Sequence, residues 1–158
     1  MVIRAATAFG LFLIGSVAWA SEKASLSGVY PHTHQNIIFN PKTQKDDPIQ
    51  TEDCLELRSV WENQLAFHFY VYGANGHTCE MQGIAMSMKP GIYEYRERVG
   101  DDRAQECVLR IHVSGAEFQL ESGTDECRQF CGVRAGFDGV TFPRKRSTSR
   151  PQCRDWIK

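Results

Sequence analysis

The chain has 158 residues, with 18 basic and 19 acidic side chains and a formal net charge of −1. That balance offers no basic excess for a nucleic acid, and six cysteines without paired C-x2-C spacings argue against a zinc framework. The charge is unevenly spread. Arg144 to Lys158 holds Arg144, Lys145, Arg146, Arg150, Arg154 and Lys158 against Asp155 alone, leaving 12 basic and 18 acidic residues in the body. The acidic clusters are Asp46-Asp47, Glu52-Asp53, Asp101-Asp102 and Asp125-Glu126. They read either as an ordinary solvated surface with a basic tail, or as an acidic face for a cationic partner and a tail for anionic envelope polymers.

Residues 1–20 read as a secretory signal: Arg4 near the start, an apolar run from Ala5 to Ile14, and Ala18-Trp19-Ala20 before Ser21. Cleavage is expected after Ala20, with no cysteine next to the cut for a lipid anchor. No other apolar run reaches membrane length, so the expected product is a soluble periplasmic or secreted protein. Residues 21–143 then form one β domain and 144–158 a basic C-terminal tail. An even number of cysteines in an exported chain predicts three disulfides.

Leu26 to Tyr30 reads as a first short strand, followed by Pro31 to His34 and Asn36 to Phe39. The polar, proline-bearing stretch Asn40 to Gln50 predicts a long exposed loop. Alternation then takes over. Leu55 and Leu57 share an inner face, with Cys54 pointing outward. Glu62-Asn63 marks a hairpin turn, and Leu65, Phe67, Phe69 and Val71 form the next inner face, with His68 outside. Gly73 to Gly76 is a second turn, because Asn75-Gly76 accepts positive φ.

Along His77 to Met88, Cys79 and Met81 have one parity and Ile84, Met86 and Met88 the other. A β-bulge near Gly83 would bring both sets inside. Lys89-Pro-Gly91 turns the chain. Tyr93, Tyr95 and Val99 then face in, Gly100 to Asp102 turns again, and Cys107, Leu109, Ile111 and Val113 face in with Arg110 and His112 outside. After Ser114-Gly115, Phe118 and Leu120 complete the series. With Val140 to Phe142 this makes an all-β antiparallel meander of seven or eight strands, a small barrel or sandwich.

Between the last two strands lies Asp125 to Phe142. Cys127 and Cys131 stand four apart, one face of a short helical turn over 125–131, and Gly132 supplies the positive φ that ends it. In a meander Cys54, Cys79 and Cys107 reach the same end of the sheet as this plug. Cys79 and Cys107 lie two strands apart, about 9.5 Å at about 4.8 Å per strand gap, too far to bond each other. The simplest pairing is Cys107 to Cys127 and Cys79 to Cys131, which leaves Cys54 to hold the tail at Cys153 from outside.

Chemistry is sparsely signalled. His32 and His34 share a strand face, as do His77 and Cys79, but solvent-facing imidazoles and a structural cysteine account for both pairs, and no metal, cofactor or catalytic residue is expected. A Cys-His nucleophile pair needs a free thiol, and G-x-S-x-G, H-E-x-x-H and a phosphate loop are missing from the sequence. Arg134 either braces strand-end carbonyls across the barrel mouth or presents a cation there to an anionic ligand. Asp138, in the Phe137-Asp-Gly139 turn, is the second candidate ligand-binding residue. Trp156 is placed to cover an apolar patch.

Three stretches carry a resemblance: Asn75-Gly-His-Thr-Cys79-Glu-Met-Gln-Gly-Ile-Ala85, Cys107-Val-Leu-Arg-Ile111, and Cys127-x3-Cys131-Gly-Val-Arg134-Ala-Gly-x2-Gly139-x2-Phe142. Together they resemble a group of small exported bacterial proteins of unassigned function over most of Leu26 to Phe142, with Cys54 and Cys153 as additions. In architecture the chain is loosely similar to periplasmic lysozyme inhibitors, which are small disulfide-bonded β-barrels. Ser27-Gly28-Val29-Tyr30 has one residue where their Ser-Gly-x-x-Tyr motif has two, so no inhibitory residue is transferred. The expectation is an exported binding module, with inhibition of a cationic envelope-active protein such as lysozyme as its sharpest form. A small-ligand carrier and an envelope enzyme are the alternatives.

Overall fold

The computed structural model describes residues 26–100, 105–147 and 152–153. The signal and its cleavage point, the Asp101-Asp102 turn, Trp156 and most of the basic tail lie outside the described residues. Eight antiparallel strands follow one another in a single meander: β1 (Gly28–Asn40), β2 (Lys45–Trp61), β3 (Gln64–Tyr72), β4 (Thr78–Lys89), β5 (Ile92–Arg98), β6 (Glu106–Val113), β7 (Glu117–Ser122) and β8 (Thr141–Pro143). The sheet curls into a nearly closed barrel. Across the seam the Tyr30 and Phe118 rings stand 4.6 Å apart, while Ser147 N donates to Val29 O at 2.7 Å from the tail side.

The interior follows the period-two pattern. Leu55, Leu57, Phe67, Phe69, Cys79, Met81, Leu109, Ile111, Phe118 and Leu120 are all buried in one cluster. Tight turns make the connections: Glu62 and Asn63 join β2 to β3, and left-handed Asn75 and Gly76 sit in a short 3-10 turn before β4.

Two expectations need correction. Asn40 to Gln50 is not a long loop: β1 and β2 stay paired from Gly28↔Leu57 out to Asn40↔Lys45, and only Pro41 to Gln44 turn. Pairing of β2 with β3 begins at Cys54↔Tyr70, so the far part of this hairpin forms a separate arm, roughly 30 Å long at about 3.3 Å per residue. Cys54 is therefore mid-strand, not at a strand start. Pro48 is tolerated because β2 has no second neighbour there to require its N–H.

The second correction concerns β4. Its register with β3 runs unbroken from Gln64↔Met86 to Tyr72↔Thr78, with no bulge at Gly83. Ala85 therefore continues the inner face, and Ile84, Met86 and Met88 stay outside, 49, 45 and 62% exposed. The irregularity lies between Ser87 and Lys89, on the β5 side, and β4 and β5 pair only from Met86↔Glu94 to Lys89↔Ile92. Beyond that they part, and the half-buried Tyr95 ring covers the gap, T-shaped against Phe67 at 5.2 Å. Gly83 is where that ring rests: a Cβ there would lie 2.5 Å from Tyr95 Cε2.

Candidate functional site

The cap is built from the chain after β7. Asp125–Phe130 forms a 3-10 turn, fixed at its start by Thr124, whose Oγ1 donates to Glu106 O at 2.7 Å and accepts from Val108 N at 3.1 Å. Disulfides Cys107–Cys127 and Cys79–Cys131 clamp it to β6 and β4, and Cys54–Cys153 holds the tail outside β2. Cys131 also pairs with Cys79 through the backbone, and Gly132 N donates to Thr78 O at 2.8 Å. Gly132 does not take the positive φ expected of it. What it provides is room, since a Cβ would come within 2.9 Å of His77 Nδ1.

Arg134 and Asp138 are not brought together around one ligand. Arg134 is exposed, and its carbonyl, with Ala135, lies so close to Gly73 that a Cβ there would clash at 2.5–2.7 Å. Asp138 Oδ1 accepts from Ser122 N at 2.8 Å. That bond ties the cap loop to the end of β7. Asp138 also lines an open groove of about 260 Å³ with Ser122, Asp125, Arg128 and Gly136, which does not include Arg134.

The arm leans over the same pole. Asn36 Nδ2 donates to Gly73 O and Phe39 N donates to Asn75 Oδ1, both at 2.7 Å. At its base Asp53 is buried; its Oδ1 accepts from Tyr72 N at 2.8 Å and lies 3.1 Å from His34 Nε2. His32 sits beside His34 with its Nδ1 buried and without a partner among the described residues. On the outer face of the tip Ile37 and Phe39 are half exposed, opposite Pro48 and Asp46.

The two outward histidines each have a carboxylate that strand order alone does not reveal. His68 is almost fully buried, with Nε2 2.9 Å from Glu80 Oε1, and His112 bonds Glu121. The one group of potential metal ligands among the described residues is Glu56, His68 and Cys153, but that sulfur is bonded to Cys54. Cys79, the cysteine two residues after His77, is likewise bonded, to Cys131.

Register then assembles an ionic row across β5, β6 and β7, because Glu94 lies opposite Arg110 and Arg110 opposite Glu121. Arg110 Nε reaches Glu94 Oε2 at 2.9 Å and its Nη1 reaches Glu121 Oε1 at 2.6 Å; Arg96 Nε holds the other Glu94 oxygen at 2.8 Å. Burial alone pushes the Glu94 carboxyl up, but the hydrogen bonds from Arg110 and Arg96 outweigh it and hold the group below the usual carboxylate value. Arg110 and then His112 hold Glu121 down in the same sense. Tyr95 moves the other way, to about 12, through burial and its hydrogen bond to Glu97. Both Glu94 oxygens are taken by guanidinium groups, and those of Glu121 by Arg110 and His112, an arrangement suited to fixing strands side by side.

No protein-family model, curated protein or solved structure matches the chain.

Proposed function

We propose that the protein is an exported binding module that docks a cationic envelope-active protein, such as a lysozyme, through the pole formed by the cap and the arm. The observation that carries this reading is the arm tip. Ile37 and Phe39 stand out of a strand whose neighbours are Pro48 and Asp46, on a hairpin pinned by side chain to backbone bonds at Gly73 and Asn75. A preorganised strand with an apolar centre, flanked by Asp46 and Asp47 and by Lys42 and Lys45 at the turn, is a low-entropy element for insertion into a partner's cleft. The cap adds exposed Asp125 and Asp138 at the same pole, beside exposed Arg128 and Arg134.

Three disulfides fit an oxidising compartment outside the cytoplasm, and the periplasm or the extracellular space is part of the proposal. The carrier alternative needs an empty barrel, whereas Phe67, Phe69, Tyr93 and Leu109 occupy the interior. A cysteine nucleophile for envelope catalysis would need a free thiol, and among the described residues every cysteine is bonded. The test is the turbidity of a lysozyme-treated cell suspension. Clearing slows when the protein is added, and slows less with Phe39→Ala or Asp46→Lys; unchanged clearing with the unmodified protein refutes the lysozyme reading.

A further inference from the structure

The outer face at the opposite end of the barrel carries the other exposed apolar surface, and its origin is the β4 register. Trp61 is opposite Gln64 and Gln64 is opposite Met86, so the indole and the thioether stand on one outer face with only Gln64 between. Ile84 follows two residues along β4, and Met88 is the extra residue where the β4–β5 register shifts. Val60 is the extra residue of the matching irregularity in β2, between Ser59 and Trp61. A groove of about 360 Å³ runs beside them, between Ile84, Met86 and Met88 on β4 and Glu94, Tyr95 and Arg96 on β5.

We propose that this face is a self-association surface, on which a second copy of the chain packs about a two-fold axis. Trp61, Met88, Ile84, Met86 and Val60 are 73, 62, 49, 45 and 42% exposed. Together they present on the order of 500 Å² of apolar side chain, at the upper end of what a monomer shows. Two such faces bury on the order of 1,000 Å² from these residues alone, and a rim brings the contact into the range of a stable dimer. The composition is that of an interface centre, with tryptophan and methionine in the middle and charge at the edge.

The rim suits a copy of itself better than a strongly charged partner. Exposed Lys89 lies on the same end as exposed Glu62, with Asn63 O accepting from Ser87 N at 2.8 Å to hold the Glu62-Asn63 turn against β4. Under a two-fold operation each cation can meet the other copy's carboxylate. The face is remote from the cap and arm, so dimerisation leaves both docking poles free and yields a bivalent binder. This inference does not depend on what those poles bind.

The test is sedimentation velocity of the oxidised, signal-free protein from about 1 to 100 μM, with Trp61→Arg and Met86→Glu as separate variants. The expected result is a concentration-dependent monomer–dimer equilibrium that each variant shifts towards monomer by at least about 100-fold in dissociation constant. A second readout is Trp61 emission in a Trp156→Phe background, which moves to shorter wavelength as the dimer forms. Three outcomes overturn the proposal: monomer throughout the range, a dimer unaffected by both variants, or a monomer that co-sediments with phosphatidylglycerol vesicles in a Trp61-dependent way, which makes the face a lipid contact. Both substitutions lie on exposed side chains, and unchanged circular dichroism shows that the variants fold.

Discussion

Glycine in the interior of a strand normally weakens it, and replacement by alanine is expected to stabilise by about 0.5–1 kcal/mol. Gly83→Ala is predicted to do the opposite. The new Cβ would lie 2.5, 2.7 and 3.0 Å from three atoms of the Tyr95 ring, whereas carbon atoms at ease stand about 3.5–4.0 Å apart. The ring must retreat by about 1 Å. It cannot swing freely, because its hydroxyl donates to Glu97 Oε2 at 2.8 Å and its edge packs on Phe67. Overpacking of this kind costs about 1–3 kcal/mol. Urea unfolding at pH 7 with the disulfides intact measures it, as a lower midpoint at unchanged slope. In a Tyr95→Ala background the same substitution should become neutral or stabilising, giving a coupling of about 1–3 kcal/mol. A Gly83→Ala protein as stable as the parent, or one whose loss persists without Tyr95, refutes the account of how the β4–β5 gap is closed.

Stability should fall as pH drops below the ordinary carboxylate value of 4.5, because Glu94 and Glu121 are held lower in the folded state. The unfolded chain then binds more protons than the folded one, so the contribution is complete above 4.5 and lost as pH falls through the folded values; Glu94→Gln flattens the unfolding midpoint between pH 5 and 3. Spectrophotometric titration should show one phenol ionising near 12, which disappears in Tyr95→Phe and titrates earlier in Glu97→Gln. Replacing each disulfide by a serine pair should destabilise in the order of the loop it closes. Sequence separations of 99, 52 and 20 give upper values of about 4.7, 4.1 and 3.3 kcal/mol on the chain-entropy scale. Urea midpoints of the three variants check that order.

The strand parity that points Cys54 outward and Cys79 and Cys107 inward is plain in the sequence, and the three bonds join the pairs it singles out. The meander and its core are equally plain, since Leu55, Phe67, Phe69, Leu109 and Leu120 alternate with polar residues. Ile84, Met86 and Met88 mislead because parity reasoning takes apolar to mean inside; Ala85, small and buried, holds the true inner position. The carboxylates that meet His68 and His112 are invisible without register, for they come from neighbouring strands at positions that turn lengths alone do not specify. Gly132, inside the Cys127 to Phe142 motif, makes room for the His77 imidazole, and Gly73, outside it, makes room for the backbone of Arg134 and Ala135; neither close approach can be read from the sequence without the register.

Lys45, Asp46, Asp47 and Pro48 look like loop because these residue types are scarce in strands. They line the far half of β2, whose outer backbone groups have no partner strand. An open flank of that length invites any passing extended chain to hydrogen-bond to it, and lysine, paired aspartates and a proline are the residues that discourage such growth. Neutral, β-branched replacements at these four positions would leave the arm's own pairing intact and turn it into a seed for fibres.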